Sequence, residues 1–476
     1  MSRSDWDDAQ LTTSMTMSLK AVVLVGGEQK GTRFRPLSLQ LPKPLFPIAG
    51  VPLIEHHIEQ LSKASFSITV LYLIILASIT EIYLIGFYPA KYFYDFIQKC
   101  TETYSIKIRY LEEPEALGTA CGLYHFRSIL LENNPNALFV LNADVCGDLP
   151  VAEMAYELAM KQNAHGLLLT TEATREQSIN YGSVVIDSNG KVLHYVDKPT
   201  TFVSPHISCG VYLLRAIVVE RIGKAYNCSD TDTKQCLLIT LKDIIKNLKK
   251  IFTCRYLLFT LLNIIQICVE EYIFKQEVWF ETEVFPQMAS ESVLYALKTK
   301  RWWSQTKTAA AVLYANRHYL RLYHVSDPSR LCRDRAQIIG DVFIDPTAEI
   351  DPTAKIGPNV SIGAKAKIAA GVRIRETIVL AEAIINEHAC ILHSVIGWRS
   401  VVGAWARVEG TPISPNPNIP FAKLDNKPLF NTDGRLNPSL TILGSDVHVP
   451  AETVILNSIV LPYKELTSSY KNQIIL

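Results

Sequence analysis

Isoleucine recurs every six residues near the end of the chain, at Ile344, Ile350, Ile356, Ile362, Ile368 and Ile374, with Leu380 next in phase. An α-helix repeats every 3.6 residues and a β-strand every two, so neither yields a period of six. A coil with three short flat faces does, because each hexapeptide forms one face and its isoleucine points into the core. Small residues or acids follow many of the isoleucines, as in "IGPNVS", "IGAKAK" and "IAAGVR". After a slip the spacing resumes at Ile396 and Val402, in "IGWRSV" and "VGAWAR". The period predicts a left-handed parallel β-helix over residues 341–476. Residues 411–439, rich in Pro, Asn and Asp, break the repeat and read as a long excursion rather than a rung. "ILGSDVHVPAETVILNSIVLP" then resumes the coil.

The earlier part of the chain has a different rhythm. Strand-like runs ("AVVLVGG", "EIYLIGF", "IKIRYLEE", "ALFVLNADV", "HGLLLTT", "GSVVID", "SCGVYLL") alternate with helical stretches such as "LIEHHIEQLSKA". Continuous apolar strands interleaved with helices predict an α/β, Rossmann-like parallel sheet covered on both faces. Sites in such sheets lie at the carboxyl ends of strands. Gly26 and Gly27 stand at one such end, and Asp144, after "FVLNA", at another. The expected boundaries are a disordered extension over 1–18, the α/β domain over 19–325, a linker over 326–340 and the β-helix beyond.

Composition narrows the function classes. A chain of 476 residues that is 48% hydrophobic suits two or three domains with full cores. A net charge of +1 provides no field to recruit nucleic acid or an anionic membrane. The ten cysteines contain no CxxC pair, so their spacing suggests neither a zinc site nor a redox dithiol. The polar, acidic N-terminus has no apolar core of a secretory signal, and a reducing cytoplasm fits best. Residues 66–79 are strongly apolar but too short to span a bilayer. Residues 251–269 are long enough but carry Arg255, Asn263 and Gln266, so a buried helix or strand is the reading for both.

The loop "GGEQKGTRFRPLS" has the form of a strand opening into a phosphate cradle. With "PKPLFPIAGVPLI", then "LGTA", "LNADV", "YGSVV" and "VDKP" in that order, the chain resembles the sugar-1-phosphate nucleotidyltransferases. The hexapeptides narrow the resemblance to the eukaryotic GDP-mannose pyrophosphorylases. "GLYHFR", "ARVEGTP" and the C-terminal "NQIIL" favour their alpha-subunit branch. The resemblance covers residues 19–476, except 66–78 and roughly 236–273. Those two segments interrupt family-like sequence and read either as retained introns or as lineage-specific loops.

Active members of the family join mannose 1-phosphate to GTP and release pyrophosphate, with a divalent metal such as Mg2+. The resemblance implies a role for each motif. Gly26, Gly27 and Gly31 would let backbone N–H groups approach phosphate, with Arg33 and Lys43 supplying positive charge. Gly118 and Thr119 would lie near the base. Asp144 matches the first metal-binding aspartate. Tyr181, Gly182, Asp197 and Lys198 match the sugar and sugar-phosphate side. His56 and His57, in a helix-like stretch, are not expected to be ligands.

Three departures bear on activity. Glu28, Gln29 and Lys30 stand where active members have one residue, so the loop must bulge and gains a carboxylate near phosphate. Gln305, in "WSQTKT", replaces the aspartate that is the second metal ligand, leaving Asp144 alone to hold the ion. Lys307 stands where active members have glycine, and its ammonium could replace part of the missing metal charge. Cys121 and Ser208 replace glycine and asparagine where base or sugar would bind. The expectation is a subunit that binds GDP-mannose, holds Mg2+ weakly, catalyses poorly and regulates a catalytic beta subunit, with self-association. The excursion at 411–439 would reach that partner. An active guanylyltransferase is the alternative. An acyltransferase using His388 or His393 on the β-helix is a third, disfavoured by the intact nucleotide signature.

Overall fold

The computed structural model describes residues 13–28, 31–63, 66–70, 73–226, 277–334, 337–416, 418–419, 421–424 and 428–476. The segments expected at 236–273 and 251–269 lie outside the described residues, as do Gln29 and Lys30. Among the described residues no helix is long and apolar enough to cross a membrane.

Among the described residues the N-terminal sheet has ten strands. They are β1 (Thr13–Gly26), β2 (Phe66–Val70), β3 (Leu73–Gly86), β4 (Lys107–Glu112), β5 (Ala137–Asn142), β7 (Gly166–Glu172), β8 (Gly182–Ile186), β9 (Val192–Asp197), β10 (His206–Arg215) and β11 (Leu294–Lys298). Two short strands outside it, β6 (Val145–Gly147) and β12 (Trp303–Gln305), pair with each other. β4, β3, β1 and β5 are mutually parallel, as the apolar runs predict. The sheet is mixed rather than parallel throughout: β10 runs antiparallel to β5 and to β7, and at the other edge β2 runs antiparallel to β3. β8 and β9 form an antiparallel hairpin, because residues 187–191 are too few for a parallel crossover.

Both faces of β1 are buried: Ala21 and Val23 enter one core and Val22 the other. The first core also takes Ile54, Ile58 and Leu61 of α1 (Leu53–Ser62), Phe93 and Cys100 beside and within α2 (Tyr94–Tyr104), and Met154 and Leu158 of the helix Val151–Met160. The second takes Ala120, Cys121 and Leu123 of α3 (Gly118–His125).

Residues 13–18, expected to be disordered, belong to β1 and pair in parallel with 73–78 of β3. An apolar, β-branched run beside an open strand edge adds to the ladder.

The C-terminal domain consists of three parallel sheets, consistent with the left-handed β-helix that the hexapeptides predict. Successive isoleucines fall on successive sheets, and those three hexapeptides apart stack in register: Ile344 on Ile362, Ile350 on Ile368, Ile356 on Ile374. The slip falls one unit earlier than the sequence reading. Val379, not Leu380, stacks on Ile362. Leu380 is buried elsewhere, in the joint between the domains. The coil also begins earlier than residue 341: Gln337–Ile338, inside the expected linker, already pairs with Lys355–Ile356.

The joint is a core of its own. Helix Ala311–Ser326 lays Val312, Ala315, Tyr319 and Leu320 between Phe46 and Ile48 of the α/β domain and Ile378, Val395 and Ile442 of the coil. His56 stacks on Tyr319 at 3.7 Å. Burial drives His56 down to about 3 and His57 down to about 4, so both are neutral packing residues, as expected. His388 stacks on Trp405 at 4.3 Å.

The excursion leaves the coil after Arg407–Glu409 and returns at Thr441–Leu443. At its neck the Thr411 N–H donates to the Ser439 carbonyl (2.9 Å). It then folds back on the α/β domain. The Lys423 N–H donates to Gln177 Oε1 (2.8 Å), and Gln177 Nε2 donates to the Lys423 carbonyl (2.6 Å). The Tyr314 hydroxyl donates to the Ile413 carbonyl.

The register predicts unequal costs for inward- and outward-facing isoleucines of the coil. Ile362→Ala, at a site with 0% exposure, should lose about 2–5 kcal/mol in denaturant unfolding. Ile384→Ala, facing outward at 36% exposure, should lose less than about 0.5 kcal/mol. Equal losses would contradict this register.

Candidate functional site

β1 ends at Gly26, whose φ of 70° lies in the left-handed region that glycine enters without penalty. A Cβ there would meet nothing within 4 Å, so the demand is conformational and the space above the turn is open. At Gly27 a Cβ would fall 2.3 Å from the Phe87 ring, so packing excludes a side chain. Gly31 opens a short helical turn, Thr32–Phe34, and its carbonyl accepts from the Phe34 N–H at 2.8 Å. Arg33 is exposed on this rim, with no ion pair among the described residues. Glu28 is exposed, and the compensation expected from Lys30 lies outside the described residues.

Below the rim runs a cleft made of two confluent cavities, 460 and 550 Å³ in volume. Asn142, Lys198, Trp279, Gln305 and Lys307 border both. All thirteen candidate residues line it. Gly26, Gly27, Gly31, Arg33, Lys43, Gly118, Thr119 and Asp144 surround the first cavity. Tyr181, Gly182 and Asp197 surround the second, while Lys198 and Gln305 border both.

The centre of the cleft is a charge cluster. Lys43 Nζ lies 3.1 Å from Asp144 Oδ2, with 12% and 29% of the side chains exposed. Lys43, expected to face phosphate, is thus directed at the carboxylate. Burial alone would raise the Asp144 carboxyl, but Lys43 together with Lys307 outweighs it and holds the group below its usual range. Gln305 borders the same cavity, carried there by β12, which pairs with β6 and sets Gln305 opposite Val145, the residue after Asp144. The Gln305 Oε1 is buried without a hydrogen-bond partner among the described residues. Lys307 Nζ lies 4.2 Å from the centre of the Tyr181 ring. Burial lowers its ammonium to about 8, offset in part by Asp144.

These residues do not fit a tightly held Mg2+. The hard ion needs carboxylate oxygen, and here the carboxylate at the expected ligand position is paired with a lysine while its neighbour is a neutral amide. Among the described residues no group of three or more His, Cys, Asp or Glu side chains converges as a metal site.

In the second cavity, Lys198 takes a left-handed φ of 41°, and its N–H donates to the Tyr181 carbonyl at 3.2 Å. Its ammonium is 2.9 Å from Asp197 Oδ2. A Cβ on Gly182 would fall 2.2 Å from the Tyr195 hydroxyl, so glycine lets that phenol in. Ser208 lines this cavity. Cys121 does not: it turns into the core beneath α3, where burial pushes its thiol up to about 11.

Two features escaped the sequence reading. The Thr119 hydroxyl donates to Glu281 Oε2 (2.7 Å) and accepts from the Phe280 N–H (3.1 Å), so its proton is not available to a base. Glu281 also accepts from the Tyr212 hydroxyl at 3.3 Å and lines the second cavity, its carboxyl raised by burial. No local motif marks Glu281; only the fold brings it across 162 positions to Thr119. Gly118 is fixed by approach, since a Cβ would lie 2.5 Å from the Val278 carbonyl oxygen.

Comparison with known proteins agrees with this architecture. The nucleotidyl transferase family model matches residues 20–252, and that of the GMPPB C-terminal domain matches 338–475. The chain is 45% identical over 468 residues to mannose-1-phosphate guanylyltransferase regulatory subunit alpha-A of Danio rerio, covering 96% of this chain and 100% of that one. It is 49% identical over 475 residues to the regulatory subunit alpha of Drosophila melanogaster, with the same shares covered. For the regulatory subunit alpha of Rattus norvegicus the identity is 45% over 463 residues, again with those shares. Thirteen cleft residues in family order, a hexapeptide coil and full-length similarity converge: the chain belongs to the alpha, or regulatory-subunit, family of the mannose-1-phosphate guanylyltransferases.

Proposed function

We propose that this chain is the GDP-mannose-sensing subunit of a cytoplasmic mannose-1-phosphate guanylyltransferase, restraining a catalytic beta subunit when product is plentiful. The observation that carries the reading is the charge centre. Lys43 and Lys307 flank the single carboxylate Asp144, and Gln305 occupies the second acid position. Two ammonium groups compensate a diphosphate without an ion, so the cleft suits a nucleotide sugar. A transferase must also neutralise the leaving pyrophosphate and align the attacker, which its metal normally does. The names of the relatives, which call them regulatory subunits, support the same reading. Self-association and docking of the 411–439 excursion on the partner belong to this proposal.

The chain retains Asp144 and the whole cleft, which favours slow catalysis as the second reading. Two measurements separate the two readings: calorimetry with GDP-mannose, with and without EDTA, and pyrophosphate release from GTP and mannose 1-phosphate. Sensing without turnover predicts binding that EDTA leaves unchanged.

Pyrophosphate release should be slower than that of a catalytic subunit by roughly two to three orders of magnitude, the scale of losing one preorganised electrostatic group. Gln305→Asp should recover part of it at saturating magnesium. Full activity in the unaltered chain would refute the proposal.

Lys198→Ala should weaken GDP-mannose binding roughly ten- to a hundredfold, the scale of one charge-assisted hydrogen bond. Its melting temperature should not change. Undiminished affinity would remove Lys198 from the site.

Affinity should also depend on pH. Diphosphate favours the charged form of Lys307, whose free ammonium titrates at about 8. Binding is therefore fully supported below that pH and weakens as pH rises through it, by at most about tenfold per unit. Lys307→Arg should flatten the profile. An unchanged slope in that variant would assign the titration to another group.

A further inference from the structure

A third cavity, 590 Å³ in volume, lies on the far side of Gln305. Its floor is the segment 298–305, its flank includes Thr171 and His206 of the sheet and Tyr314 of helix Ala311–Ser326, and its roof is the returning excursion. Ile413, Phe421 and Leu424 supply the roof, pinned by the Gln177–Lys423 amide pair.

The lining has two characters. Trp302, Trp303, Tyr314 and Phe421 present aromatic surface. Lys298 and Lys300 stand exposed at the mouth, and neither has an ion pair among the described residues. Arg301 beside them is paired with Glu153. Deeper in, Lys423 Nζ donates to Thr171 Oγ1 (3.3 Å) and lies 5.5 Å from the Trp303 ring. Among the described residues of the lining Glu172 is the one carboxylate, so their positive charge is in surplus.

Two polar atoms of the lining residues are buried and unpaired among the described residues: His206 Nδ1, and Gln305 Oε1, whose residue also borders the cleft. Folded proteins satisfy nearly all such atoms, and an orphan beside a cavity points to something the cavity takes in. The volume falls in the range of small-molecule sites. Aromatic surface takes a planar ring by stacking, an amide and an imidazole can read its polar edge, and free ammonium groups take phosphate.

We propose that this cavity is a second ligand site, distinct from the nucleotide-sugar cleft, and that it takes a nucleotide. The base lies among Trp302, Trp303 and Phe421, and the phosphate lies on Lys298 and Lys300. Gln305 and Tyr181 form the partition, since both line the second cavity of the cleft as well. The roof belongs to the excursion, so an occupied site also holds the excursion to the domain.

The test is calorimetric titration of the full chain with GMP, paired with two variants. The expected result is a binding event that persists in Lys198→Ala and weakens at least tenfold in the double variant K298E/K300E. Both lysines are exposed, so the double variant should keep the parent's melting temperature. Photolabelling with 8-azido-GMP should mark peptides within residues 298–305 or 413–424. No GMP binding at millimolar concentration would overturn the proposal. So would GMP binding lost in Lys198→Ala but unchanged in K298E/K300E, or labelling confined to the cleft.

Discussion

A ladder of three residue pairs fixes the relation between the parts of this molecule. β12 lies antiparallel to β6, with Trp303 opposite Gly147, Ser304 opposite Cys146 and Gln305 opposite Val145. It is reinforced just beyond its end, where both the N–H and the hydroxyl of Thr306 donate to the Asp144 carbonyl at 2.9 and 3.1 Å. Trp303 ties the same strand to the large sheet, its Nε1 donating to the Cys209 carbonyl at 2.9 Å. The chain then enters helix Ala311–Ser326, which carries the joint with the coil. Shifting this ladder by one residue would move Gln305 to the other face of the strand and reverse the faces of its neighbours.

The charge centre follows from that placement. A carboxylate with two ammonium groups nearby carries a surplus of positive charge in a partly desolvated cleft, where interactions exceed those in water. Such a centre favours a diphosphate anion and disfavours a divalent cation. An amide at Gln305 is consistent with this balance, because a second carboxylate would restore the attraction for a metal and weaken that for phosphate. Binding and turnover thus make different demands on one position.

The coil needs no contribution from its long excursion. Ser394 and Val395 pair directly with Thr441 and Ile442 across the insertion, and the neck closes through Thr411 and Ser439. The excursion is held instead by the polar contacts of Gln177, Lys423 and Tyr314 with the α/β domain. It touches Trp303, and Trp303 touches Tyr181 edge-on at 5.6 Å, so the excursion and the second cavity of the cleft share one wall.

The sequence by itself determined the repeat, the strand-to-loop motifs and the exchange at Gln305. Each is a local pattern: a period of six admits one kind of coil, and a glycine pair after a buried strand admits few turns. The cleft residues were legible for the same reason, since motifs mark their positions along the chain. Tertiary structure alone decided which partners those side chains meet. Lys43 finds Asp144 across 101 positions, and Thr119 finds Glu281 across 162. Leu380 keeps the sequence period yet leaves the coil's core, because a coil one residue shorter there stacks Val379 on Ile362. The antiparallel strands and the docked excursion likewise depend on which edges and side chains the rest of the fold leaves open. Hydrophobic period fixes which face a residue buries; only packing of the whole chain fixes what lies opposite.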